Sequence, residues 1–154
     1  MSSSEVVRGA ILDVLNTVNG IGLMHERERY SGTSSKLKEF YVVDGELAGG
    51  FIRRVGQRRV TPDGGQTFLV ISTWEIHYFR GFQDAGDSEL AFDQTLDAID
   101  RAFVLDPTLG ETVDTVMGDE QAGIALLTSQ PAMFAGVLVH YAKMRLMTEH
   151  TDSA

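Results

Sequence analysis

The sequence predicts one α+β domain, in which two amphipathic helices flank a strand-rich, basic middle. Three observations carry this. Apolar residues recur at helical spacing over 2–18 and again over 88–103. Between them, 51–60 and 67–80 read as the strands of a hairpin joined by TPDGGQ, which places proline, aspartate and glycine where a turn wants them. The 154 residues are 43% hydrophobic and 23% charged, which suits one soluble domain with a real core.

The elements follow in order. In 2–18, Val7, Ile11, Val14, Leu15 and Val18 form one apolar face. Ser2 with Glu5 matches a capping box, and Asn19-Gly20 stops the helix. IGLMHERERY, 21–30, reads as a strand with a solvated outer half. SGTSS is a loop, and SKLKEFYVV is ambiguous: Leu37, Phe40 and Tyr41 suit a short helix, whereas FYVV suits a strand. The second hairpin strand alternates imperfectly around Trp74, which predicts a bulge or burial on both faces. Arg53-Arg54 and Arg58-Arg59 put charge on both faces of the first strand, so that hairpin is expected to protrude.

Residues 88–103 are the strongest helix. Ser88 is the expected N-cap, with Glu89 favoured in the first turn. Phe92, Leu96, Ile99 and Phe103 make a buried stripe, while Glu89, Asp93, Asp97 and Asp100 make an acidic one. Asp106-Pro107 ends it, because a residue before proline avoids the helical region. LGETVDTVM then reads as a turn and short strand, and 118–135 as loop signals around one apolar run. GVLVHYAKMRLMTEH favours a central strand, with a closing helix as the competing reading. A flexible tail is expected at about 150–154.

Composition excludes several chemistries. With no cysteine, disulfides, thiolate metal sites and cysteine nucleophiles are ruled out, and a reducing compartment is expected. Neither a signal peptide nor a membrane-spanning run is expected. HERER, 25–29, fails the zinc-protease pattern because Arg29 stands at the second histidine position. The glycine pairs 49–50 and 64–65 lack the lysine and hydroxyl of a phosphate loop. A net charge of −9 disfavours tight nucleic-acid binding. Charge is also segregated. Residues 25–60 carry eight basic against five acidic residues, whereas 84–120 carry eleven acidic residues against Arg101 alone.

The order of these elements resembles the tail terminator (tail-completion) proteins of long-tailed bacteriophages. The residues that carry the resemblance are Trp74 and Ile76 of TWEIHY, the helix FDQTLDAIDRAF, the turn DPTLGETV at 106–113, and VLVHYAKMRL at 137–146. The chain has Leu109-Gly110-Glu111 where the family pattern reads Leu-Gly-Gly. The resemblance implies a mixed, mainly antiparallel sheet with two main helices packed on one side. It implies a structural, non-enzymatic virion protein without cofactor: a homo-hexameric ring at the head-proximal end of the tail. Such a ring stops tube polymerisation and offers the head-joining surface, after assembly in the host cytoplasm. Its implied partners are the major tail tube protein, a head–tail connector or neck protein and, in a contractile tail, a sheath protein. DNA would pass the lumen without specific binding.

The charge split suits heterologous ring contacts, in which one patch meets a different patch on the next copy. The candidate interface residues are therefore Arg53, Arg54, Arg58, Arg59, Glu89, Asp93, Asp97 and Asp100. Bland alternatives are a solvated hairpin and a solvated helix face. Sharper ones are a nucleic-acid patch at the arginines and a divalent-cation site at the carboxylates. Two other functions stay open: a different small neck protein, or a small-molecule-binding domain using a pocket around Trp74 and His77.

Overall fold

The first apolar stripe becomes α1 (Ser4–Asn16), which buries Val7, Ile11, Val14 and Leu15. In the computed structural model, residues 4–43, 45–61, 63–82, 87–118 and 121–153 are described. Ser2, Pro62 and Ala154, which figure in the expected cap, turn and tail, lie outside them. The helix stops sooner than its apolar pattern suggests. The Thr17 hydroxyl donates to Val14 O at 2.6 Å, and Val18 is buried in the turn that follows.

After α1 the strand β1 (Leu23–His25) is shorter than expected. The charged residues that follow it alternate sign and bury no face, so they add no strand. The ambiguous stretch resolves into both readings. α2 (Ser34–Glu39) is capped by Thr33, whose hydroxyl accepts from Lys36 N–H, and β2 (Val42–Val43) follows.

β3 (Glu46–Val60) and β4 (Thr67–Gly81) form the predicted antiparallel hairpin. Asp63 closes its turn, accepting from the N–H of Gln66 and Thr67 at 3.1 and 2.9 Å and from the Thr67 hydroxyl. These bonds, led by the Thr67 hydroxyl, hold the Asp63 carboxyl below the usual carboxylate range. Of the two irregularities expected in the second strand, β4 shows two-sided burial: Tyr78 and Phe79 are buried on opposite faces. The bulge lies instead in the first strand, at Val55 of β3 between Arg54 and Gly56.

α3 (Ser88–Leu105) buries Phe92, Leu96, Ile99 and Phe103 as the stripe requires. Its N-cap is Asp87, not Ser88, and no side chain caps it. Ser88 Oγ instead bonds His140 Nε2 at 2.8 Å. The helix ends at Leu105, before Asp106-Pro107. The turn beyond is braced from within: Asp106 accepts from Gly110 N–H and Thr108 Oγ1 from Glu111 N–H. Leu109, Gly110 and Glu111 are all left-handed, with φ of 50, 65 and 68°. Leu109 and Val113 are thereby turned into the core. This acidic-looking segment is thus a plug with two apolar anchors.

β5 (Thr115–Gly118), β6 (Gln121–Ala122), β7 (Ala125–Phe134) and β8 (Val137–Ser153) complete the chain. The competing helix reading for 136–150 fails, because β8 buries alternate residues along its length. Where loop signals were read, β7 and β8 form a second hairpin. Its two-residue turn is Ala135-Gly136, both left-handed at φ 51 and 79°. The tail expected from about 150 is also corrected. His150, Thr151, Asp152 and Ser153 pair in register with Val70, Leu69, Phe68 and Thr67, because the start of β4 needs that backbone as its partner.

Among the described residues the fold is α+β, with three helices and a mixed, mostly antiparallel open sheet of eight strands. The order is β1-β3-β4-β8-β5-β6, with β2 beside β3 and β7 beside β8; β1 alone runs parallel to its neighbour. The row Ile52–Ile76–Met144 crosses three strands and is fully buried. One core joins this face to the apolar sides of α1 and α3. A smaller aromatic cluster of Tyr41, Phe51 and Phe79 lies on the other face, at one end. Gly49 and Gly50 explain themselves here. A side chain on Gly50 would strike His77 O at 1.8 Å and one on Gly49 would strike Leu23 O at 2.1 Å, so β3 can sit between β1 and β4 only without them.

Candidate functional site

The arginine pairs take their positions from the bulge. Arg54 stands opposite Trp74 and Arg59 opposite Val70, on the same face as the Ile52–Ile76 pair. Arg53 stands opposite Glu75 and Arg58 opposite Ile71, on the other face. All four are exposed. Beyond Phe51, where β1 ends, no described strand pairs with the outer edge of β3. An open strand edge guarded by arginines resists indiscriminate pairing and selects partners by charge. Arg59 lies over Phe68, with 5.5 Å between guanidinium and ring centroid.

Two arginines that the sequence reading did not group join this edge. Arg8 of α1 and Arg27 after β1 line a hollow of about 260 Å³ with Arg53, Arg54, Glu28 and Tyr30. Arg8 donates to Glu26 O at 2.6 Å, Arg54 to Gln57 Oε1 at 3.0 Å and to Ser4 Oγ, and Arg53 to Tyr30 OH at 3.4 Å. No local spacing links residues 8, 27 and 53; only the packing of α1 and β1 against β3 brings them together.

The acidic stripe divides. Glu89, Asp93 and Asp97 are exposed, and their side chains make no hydrogen bond or ion pair among the described residues. Asp100 is half-buried and accepts from Ile124 N–H at 3.0 Å, which fastens the chain ahead of β7 to α3. It is a structural acceptor and leaves the candidate interface. Glu89 and Asp93 lie beside Ser129–Pro131 of β7 and His140. The structure thus sets the two charged surfaces apart. β3 and β7 are three strand spacings from each other, about 14 Å across the sheet.

The pocket anticipated around Trp74 and His77 does not form. The residues are three apart in one strand and face opposite sides. Trp74 is fully buried and donates to Thr148 Oγ1 at 3.0 Å. His77 stacks on Phe51 at 4.6 Å, with Nε2 3.1 Å from Glu75 Oε1 and Nδ1 2.7 Å from Tyr141 OH. Burial holds the His77 pKa below the imidazole range despite Glu75, and burial raises that of Tyr141. A neutral imidazole between a carboxylate and a phenol forms a satisfied chain of hydrogen bonds. A hollow of about 400 Å³ is lined by Lys38, Glu46, Arg80, Phe82 and Leu138 among others. Arg80 is already engaged there, donating to Thr95 Oγ1 at 3.0 Å and Gly20 O at 3.4 Å. No family model matches the chain, and no curated protein is detectably similar to it in sequence.

Proposed function

We propose that this protein is a tail terminator of a long-tailed bacteriophage. It acts by assembly, forming a ring, most simply a hexamer, on the head-proximal end of the tail tube. The ring stops tube growth and offers a surface to the head–tail connector. In this reading α1 and α3 lie together on one side of the sheet, and the outer, basic half of the β3–β4 hairpin protrudes toward a neighbour. One observation carries the reading: an exposed basic strand edge and an exposed acidic helix face occupy different flanks of one sheet. Two unlike, complementary patches join copies head to tail, and such contacts close into a ring when the rotation between copies closes. The sequence resemblance through TWEIHY, the α3 stripe and DPTLGETV supplies the tail context.

The test is electron microscopy of particles from a strain lacking this gene. Overlong, headless tubes are expected, and the wild-type chain supplied in trans should restore a uniform length. The quadruple variant R53E/R54E/R58E/R59E should restore it poorly. Tubes of normal length joined to heads in the deletion strain would remove the proposal.

A further inference from the structure

We propose that the hollow lined by Arg8, Arg27, Arg53 and Arg54 is a carboxylate receptor, and that its occupant is the Glu89–Asp93–Asp97 face of α3 on a second copy of this chain. The proposal deepens the ring reading above and rests on it. It moves the contact from the hairpin tip, where Arg58 and Arg59 lie, to the junction of α1, β1 and β3.

The donor count favours it. Each guanidinium carries five N–H donors, and the bonds within the molecule use few of them. Arg8 gives one to a backbone carbonyl, Arg53 one to a hydroxyl, and Arg54 bonds a hydroxyl and an amide oxygen. Arg27 makes no hydrogen bond or ion pair among the described residues. Glu28 is the single carboxylate lining the hollow, and it bonds Tyr30, whose pKa it raises. The neighbouring hollow adds Glu5 and Glu26 beside Arg8 and Arg27. Four guanidiniums therefore face three carboxylates with no ion pair between them, a planar-donor site with capacity to spare.

The choice of occupant follows from charge and spacing. A long polyanion such as duplex DNA meets a chain of net charge −9 and a site already flanked by glutamates, so its field is unfavourable. A second copy carries the same net charge, but its short row of three carboxylates need meet only the four guanidiniums of the hollow, whereas a duplex extends past them over a chain of net negative charge. Glu89, Asp93 and Asp97 recur every four residues, about 6 Å apart along the helix. They are exposed and without side-chain partners among the described residues, and Glu89 and Asp93 lie beside β7, on a different flank from the hollow. Hollow and stripe are different surfaces, so each copy can give one and receive one.

Sedimentation velocity on the full chain at low and moderate salt tests this with four proteins and one mixture. The wild type should self-associate and weaken with salt. R27E/R54E and D93R/D97R should each weaken association about tenfold or more, and R58E/R59E should stay within about twofold. An equimolar mixture of R27E/R54E with D93R/D97R should recover association, because every contact then joins opposite charges; misfolded variants could not do so. Wild-type association in R27E/R54E, with loss only in R58E/R59E, overturns the hollow and leaves the ring. A wild-type chain that is monomeric throughout overturns this contact, while tube length in the deletion strain decides the ring separately. Binding of a short DNA duplex that R27E/R54E abolishes, with self-association unchanged, assigns the hollow to phosphate instead.

Discussion

Thr148→Val removes one oxygen from the core and should cost far more than its size suggests. Trp74 and Thr148 are both fully buried, and the indole N–H donates to Thr148 Oγ1 at 3.0 Å across β4 and β8. Valine keeps the shape of threonine but cannot accept. The indole N–H would then be stranded without water, at a cost of about 1–3 kcal/mol. For a chain of this length that lowers Tm by roughly 2–12 °C. Urea unfolding followed by tryptophan fluorescence reads it directly, since Trp74 is the single tryptophan. The control is the same substitution in a Trp74→Phe background, followed by circular dichroism. There no donor is stranded, so Thr148→Val should be nearly neutral, giving a coupling of about 1–2 kcal/mol. Equal losses in the two backgrounds, or a loss below about 0.5 kcal/mol in the first, would refute the assignment of this bond.

Two further outcomes are expected. Glu111 is exposed at φ 68°, which strains an L-residue, so Glu111→Gly should stabilise by about 0.5–1 kcal/mol after the unfolded-chain entropy of glycine is deducted; an unchanged or lower urea midpoint would contradict this. Burial depresses the His77 pKa, so the unfolded chain binds a proton there first as pH falls. The His77 contribution is therefore fully present above the ordinary imidazole value of about 6.5 and is lost below it, as pH falls toward the folded pKa. Subtracting the stability profile of His77→Gln from that of the wild type between pH 8 and 5 should show this slope, and a flat difference would count against it.

Much of the architecture was legible. The stripes of α1 and α3, the TPDGGQ hairpin and the Asp106-Pro107 stop are local signals, and each formed. The failures have local causes as well. Ala135-Gly136 is a weak turn signal, because alanine seldom takes the left-handed form, so the β7–β8 hairpin was missed. Pro131 lies within β7, which tolerates a proline because β8 is its only described partner. Ser88 looked like a cap and became a hydrogen-bond partner of His140, 52 positions away.

The sequence by itself determined which residues are charged, which helix faces are apolar and where the chain must turn, because these depend on neighbours within a few positions. Tertiary structure alone decided the use of those charges. The bulge at Val55 sent Arg54 and Arg59 to one face and Arg53 and Arg58 to the other. Packing gathered Arg8 and Arg27 beside Arg53, and withdrew Asp100 from the acidic stripe to hold Ile124 N–H. It also placed Trp74 and His77 back to back across the sheet. Each outcome depends on register and on contacts between distant segments, which no short window of sequence contains.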